Sequence, residues 1–296
     1  MNVIENKHLY PDDETPVLKH YSEFDNVYIG LLPFFKLDKE NCDTYSSKKI
    51  ISIEEVRKKN KIFEKIGNHS NVTIYSSNEC YPTDEEISQN GKKVTWDEII
   101  QNTKLKDLKE LNKALMTSIG AYKKKLQRED LLEILNQYTE KGNIWHPQEG
   151  EFDFFTKSSI FKILKSNGIN KIDVEDEFYQ NQKTINLNAL TQIDFCKKID
   201  YDDYYIYDKN NSILFAISWD YFFFFIAINE KVFSKESIET NFEGFWADEK
   251  TNHLWTWEEG EIERLLNSKN KKIRKNNFSK FLLNLKSFWT IKKTQN

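Results

Sequence analysis

Residues 221–228 read Tyr-Phe-Phe-Phe-Phe-Ile-Ala-Ile, and that run constrains the fold more than any other feature of the chain. Successive side chains of a strand point to opposite faces, so a segment apolar at every position must be covered on both sides. The apolar stretch reaches back to Ile213, but Ser218 and Asp220 interrupt it. It is too short and too aromatic to read as a spanning helix, which needs about 20 apolar residues. Two further strands are expected just upstream, at 204–207 and 213–218, joined by a turn at Asp208-Lys209-Asn210-Asn211. Downstream, a short helix is expected near 234–241. Phe245-Trp246 and residues 253–257 then flank residues 248–252 as a hairpin.

Upstream of this region the period changes. Thr83-Asp84-Glu85-Glu86 and Thr95-Trp96-Asp97-Glu98 are capping boxes, each opening a short helix. Leu105, Leu108, Leu111, Leu115, Met116, Ile119, Tyr122 and Leu126 recur at helical spacing and predict a central buried helix. Further helices are expected at about 52–66, 129–140 and 158–166, the first opened by Ser52-Ile53-Glu54-Glu55, and a short strand at 72–75. Residues 27–35 are apolar enough for a strand, with Pro33 implying an edge position or early termination. Helices first and meandering strands afterwards argue for an α+β fold. The expected arrangement is a helical N-terminal half packed on a C-terminal antiparallel sheet. Residues 1–257 form its single globular domain, and residues 258–296 a basic, amphipathic, helical C-terminal extension.

Charge is unevenly distributed. Residues 264–296 hold ten Lys or Arg and no acid, leaving about −14 on residues 1–263 of a chain whose net charge is −4. The N-terminus lacks a basic segment followed by an apolar one, so no secretory signal is indicated. Cys42, Cys80 and Cys196 are far apart and odd in number, and a reducing cytoplasm is the simplest compartment.

Most chemistry-bearing motifs are missing. No two of the nine glycines lie closer than eight residues, which excludes the Gly-rich loops that cradle phosphates. The five histidines never pair at metal-ligand spacing and no Cys-x-x-Cys occurs, so no metal or cofactor is expected. Asp107 and Lys109 form an Asp-x-Lys pair, but on a helix positions two apart diverge by about 200°.

Two surfaces stand out. The first is a polar rim of the expected sheet, comprising Trp219, Asp220, Trp246, Asp248, Glu249 and His253. There a carboxylate beside His253 would tune it for proton transfer. A second polar loop, Trp145-His146-Pro147-Gln148-Glu149, has similar chemistry. The other surface is the tail, where Lys271, Lys272, Arg274 and Lys275 precede an apolar helical stripe including Phe281, Phe288 and Trp289. That stripe docks on the body, engages a partner or second copy, or touches an anionic polymer or membrane.

The segment Tyr81-Pro82-Thr83-Asp84-Glu85-Glu86-Ile87, the Val94-x-Trp96 pair, Ala114-Leu115-Met116-Thr117-Ser118-Ile119-Gly120-Ala121 and Arg128-x-Asp130-Leu131 resemble the YwbB-like family of uncharacterised proteins from Gram-positive bacteria. The resemblance is clearest over 80–140 and weaker over 185–257, where Trp246-Ala247-Asp248-Glu249-Lys250-Thr251 is compatible with it. It is absent from 39–72 and beyond 258. It brings no established substrate, cofactor or catalytic residue. The sequence alone thus leaves the function unknown. The first expectation is a non-enzymatic binding or regulatory protein that recognises a protein partner or itself, since Trp and Tyr are abundant and interface-prone. An enzyme with a carboxylate–histidine site at the sheet rim is the alternative. Nucleic-acid or membrane-surface binding through the tail comes third, because the acidic body opposes it.

Overall fold

A computed structural model of the chain describes residues 8–13, 15–37, 48–51, 74–77 and 81–267. Its first half contains α1 (Val17–His20), β1 (Asn26–Leu31), β2 (Phe34–Lys36), β3 (Lys48–Ile51), β4 (Ile74–Ser77), α2 (Asp84–Asn90), β5 (Lys92–Val94), α3 (Trp96–Gln101), α4 (Leu108–Ser118), α5 (Glu129–Gly142) and β6 (Ile144–Trp145). The second half contains α6 (Phe154–Ser166), β7 (Lys171–Asp176), β8 (Gln182–Asn186), α7 (Gln192–Cys196), β9 (Asp203–Tyr207), β10 (Ile213–Ile217), β11 (Phe223–Ile228), α8 (Lys235–Asn241), β12 (Gly244–Trp246) and α9 (Glu261–Asn267). The fold is α+β.

Seven strands form one antiparallel sheet in the order β12-β1-β11-β10-β9-β7-β8. Smaller sheets join β5-β2-β6 and β3-β4. β11 lies inside the large sheet and is buried at all six positions. Phe223, Phe225 and Ala227 face a core shared with Trp96 and Ile99 of α3, Leu111 and Leu115 of α4, and Leu131 and Leu135 of α5. Phe224, Ile226 and Ile228 face a second core built with Ile160, Ile163 and Leu164 of α6, Phe195 of α7 and Ile238 of α8. Both faces of the Phe-rich strand are therefore covered by helices, as its composition demands. Each fully buried Phe stabilises the fold by about 2–3 kcal/mol.

The helix starts follow their caps. Thr83 and Glu86 complete the reciprocal capping box of α2, Thr95 accepts from Glu98 N–H, and Asp107 accepts from Glu110 N–H. Asp107 is thereby spent as a cap while Lys109 pairs with Glu258, so the two do not share a ligand.

Several sequence expectations need correction. The apolar stretch at 27–35 terminates early before Pro33, as one of the two alternatives had it, and resumes as β2; the other alternative fails, because β12 pairs along the second side of β1 and it is not an edge. Sheet pairing also removes the expected hairpin. Tyr28 lies opposite Trp246 and Gly30 opposite Gly244, while residues 253–257 turn without forming a strand. The central helix is shorter than its apolar period, ending at Ser118 before Gly120 at φ 67, with Leu105 and Leu126 buried from outside it. The helix expected at 52–66 lies outside the described residues, and β4 overlaps the expected 72–75 strand only in part.

The chain divides into two compact units, Met1–Glu258 and Glu259–Asn296. In the second, α9 is described. Lys271, Lys272, Arg274, Lys275, Phe281, Phe288 and Trp289 lie outside the described residues. Among the described residues no helix is long and apolar enough to cross a membrane.

Candidate interaction site

At one end of the large sheet the β7–β8 hairpin tip meets the turn that leads into β9. Asp176 and Asp203 face each other across the β7–β9 ladder, so the two turns are neighbours. Asp176, 9% exposed, organises the tip. Its Oδ1 accepts from Phe178 N–H (3.0 Å) and Gln180 N–H (2.9 Å), and its Oδ2 accepts from Asn181 Nδ2 (2.6 Å). Tyr179 is held at φ 57, a backbone region that costs a non-glycine residue about 1–2 kcal/mol. Its ring stacks on Tyr205 at 5.4 Å and 7°, and its hydroxyl accepts from Leu9 N–H (2.7 Å). This rigid tip leaves Phe178 53% and Tyr179 40% exposed, and the neighbouring turn leaves Tyr201 65% exposed. The exposed large hydrophobic side chains among the described residues are these three with Ile193 and Val232, so most sit at one place.

Acidic residues gather around Tyr204 of β9, at the same end of the sheet. Burial raises the Tyr204 hydroxyl above its ordinary pKa, and the fields of Glu177, Asp220, Asp202 and Glu149 raise it further. Four carboxylates from four loops thus converge on one end of the sheet. Two more carboxylates at this end, Asp200 (2.7 Å) and Asp203 (2.6 Å), are paired with Lys183.

The loop between β6 and α6 supplies Glu149 and is firmly anchored. His146 is buried, with Nε2 2.9 Å from the Thr139 hydroxyl, and burial pushes its pKa down to about 3. It is a packed core histidine. Gly150, at φ 66, donates its N–H to Tyr221 O (2.8 Å) and lies flat against the Trp219 backbone. Lys157, with a side chain only 4% exposed, pairs with Asp84 at 2.9 Å. Burial drives the Glu151 carboxyl up to about 7. Lys157 opposes the rise, while Asp84, Asp153 and Glu149 add to it.

That shift has a definite pH sign. A carboxyl with a folded-state pKa above its unfolded value contributes its full share of stability only while protonated in both states. The share is lost as pH rises from about 4.5 to about 7. Glu151→Gln removes the cost of ionising this site. The variant should match the parent near pH 4 and exceed it in unfolding free energy by about 2 kcal/mol at pH 8. Urea titrations at the two pH values measure this, and an equal difference at both would contradict it.

The rim residues named from sequence are distributed by the fold. Trp219 and Asp220 occupy the β10–β11 turn at the acidic end. His253 reaches the adjoining Tyr221, whose hydroxyl lies 2.9 Å from His253 Nε2. The carboxylate on that nitrogen is Asp13, at 2.8 Å, and not Asp220, Asp248 or Glu249. Residues 8–13 form a strap across the sheet face, fixed by Leu9 to Tyr179 and Tyr21 and by Asp13 to His253. A carboxylate accepts, so His253 Nε2 donates to Asp13, and Nδ1 is buried without a hydrogen-bond partner among the described residues. Trp246 lies on the edge strand β12, where its Nε1–H donates to Glu239 (2.6 Å) and Lys235 packs on its ring. Asp248 caps its own turn. The Thr251 hydroxyl, then Lys250 N–H, hold its carboxyl below the usual carboxylate range. Glu249 is exposed in that turn.

Sequence reasoning missed Asp13, Phe178, Tyr179 and Tyr201. Phe178-Tyr179 beside the turn-forming run Glu175-Asp176-Glu177 was the available signal for the β7–β8 tip, whereas the reach of Asp13 to His253 has no local signature. Among the described residues, no group of three or more His, Cys, Asp or Glu is arranged to hold a metal ion.

The comparisons with known proteins agree with the resemblance. The chain is 25% identical over 252 residues to the uncharacterized protein YwbB of Bacillus subtilis (strain 168), covering 84% of this chain and 98% of that protein. No solved structure matches it. The model for a protein family of unknown function, DUF2711, matches residues 13–257, from the Asp13 that holds His253 to the end of the sheet-bearing unit, and the chain belongs to that family.

Proposed function

We propose that the protein is a non-enzymatic cytoplasmic binding protein that recognises a protein partner at the acidic end of its sheet. The observation that carries this reading is the rigid presentation of Phe178, Tyr179 and Tyr201 to solvent beside Glu177 and Asp202. Aromatic anchors ringed by charge are the usual composition of interface hot spots. The acidic ring fits a partner surface carrying Lys or Arg around an apolar groove. In this reading α3, α4 and α5, from the helical N-terminal half, back the sheet while the rim does the binding.

The test is affinity capture from native lysate with the parent chain and with Phe178→Ala/Tyr201→Ala. A partner retained by the parent should be weakened about tenfold to hundredfold by the double variant, and more weakly held at high salt. Identical capture by both chains would sink the reading. Concentration-dependent dimerisation abolished by the same substitutions would identify a second copy as the occupant.

An enzymatic reading rests on the Asp13–His253–Tyr221 contact, which gives the imidazole a carboxylate and a hydroxyl neighbour. The burial of His253, 5% exposed, favours a role in holding the strap.

A further inference from the structure

At the opposite end of β7 from the hairpin tip, a cleft of about 510 Å³ opens beside the β9–β10 turn. Its volume suits a small molecule, since ligand pockets span about 300–1,000 Å³. Asn170, Lys171, Asp173, Thr184, Asp208 and Lys209 line it. Two ammonium groups and two carboxylates therefore share one concave surface, and their roles are unequal.

Asp208 is committed to its own turn. Its Oδ1 accepts from Ser212 N–H (2.6 Å) and Ile213 N–H (3.0 Å), and its Oδ2 accepts from Asn210 N–H (3.2 Å). It builds the turn and has little left to offer. Asp173 differs. Its side chain is 4% exposed, and its Oδ1 takes the Thr184 hydroxyl at 2.5 Å. Its Oδ2 has Lys209 Nζ at 3.5 Å, beyond the roughly 2.7–2.9 Å of a direct charge-assisted hydrogen bond. A buried carboxylate oxygen held this loosely retains accepting capacity at a position where desolvation makes a close cation valuable. Lys209 is 66% exposed and so is free to move its head group off Asp173.

We propose that this cleft binds a small zwitterion of the α-amino-acid class, with its ammonium on Asp173 Oδ2 and its carboxylate on Lys209 and Lys171. The charge pattern selects the class. A purely anionic ligand meets Asp173, and a purely cationic one meets Lys171 and Lys209. A molecule carrying both charges a few bonds apart satisfies each end. Binding also replaces the long Asp173–Lys209 contact with two shorter ones. The site is separate from the acidic rim, and its occupancy does not depend on that reading.

The test is isothermal titration of the full chain with each of the common L-α-amino acids. Ethylamine and propionate serve as arms carrying a single charge. At least one amino acid should give saturable binding that neither single-charge arm reproduces. Asp173→Asn and Lys209→Met should each weaken it about tenfold or more, the loss of one charge-assisted contact. Should Asp173→Asn fail to fold, Lys209→Met decides, because that side chain projects into solvent. No saturable heat from any amino acid overturns the proposal. So does binding equal in the parent and in Lys209→Met, and so does ethylamine binding as tightly as the amino acids.

Discussion

Gly150→Ala is expected to lower the unfolding free energy by about 3 kcal/mol or more, one of the largest losses a single methyl group can cause in this chain. Two costs add. The residue sits at φ 66, where an L side chain is disfavoured by about 1–2 kcal/mol. The new Cβ also lands 2.1, 2.3 and 2.4 Å from the Cα, O and C of Trp219, all backbone atoms that no rotamer change removes. The loop must retreat, and retreat stretches the bond from Gly150 N–H to Tyr221 O. Gly168 supplies the matched control. Its φ is 73, and a Cβ there meets nothing within 4 Å. Gly168→Ala should cost only the conformational part, about 1–2 kcal/mol. Chemical denaturation of both variants measures the difference, which isolates the steric contribution. Equal losses would show that the Gly150–Trp219 contact does not constrain the loop.

Phe224→Ala should cost about 3–5 kcal/mol, at the upper end for core truncations. The ring is fully buried and lies over Gly30 of the neighbouring strand, so close that a Cβ on Gly30 would come within 2.5 Å of its Cζ. It also packs edge-on against Phe152 at 5.4 Å and Phe242 at 5.8 Å. Glycine leaves no side chain to collapse into the space, so the void persists, and cavity cost grows with the volume left unfilled. Phe222 lies one step before β11 and is equally buried, but it faces the other core. The informative comparison is the double variant Gly30→Ala/Phe224→Leu. Returning volume from the opposite strand should recover part of the loss of Phe224→Leu alone, whereas Gly30→Ala alone should be strongly destabilising. Independent, additive effects in this cycle would mean that the two positions do not share one packing site.

How far the fold was legible follows from which interactions are local. The doubly covered strand was evident because residues 223–228 are apolar at successive positions, and alternate burial is a property of the backbone itself. α2 and α3 begin where their caps stand, since a Thr side chain reaches an N–H only three residues away, whereas the Asp107 cap that sets the start of α4 was not read from the sequence. The place of β1 was hidden. Its partners are β11 and β12, and nothing in residues 26–31 specifies pairing with a segment near the other end of the chain. The lost hairpin is the same failure seen from the other side: the chain at 244–246 pairs with β1 instead of folding back on 253–257. The site divides likewise. Trp219, Asp220 and His253 were visible as residues, but the partner of His253 is Asp13, and the exposure of Phe178 depends on a backbone twist imposed by Asp176.

β1 is an interior strand, second in the seven-stranded order, and both of its neighbours come from far along the chain. A ribosome releases Asn26–Leu31 well before the two strands that flank it, Phe223–Ile228 and Gly244–Trp246, emerge. Until then a nearly all-apolar strand has both hydrogen-bonding edges open, the condition under which nascent chains stick to one another. The sheet must therefore close over long sequence separations, the topology that slows folding.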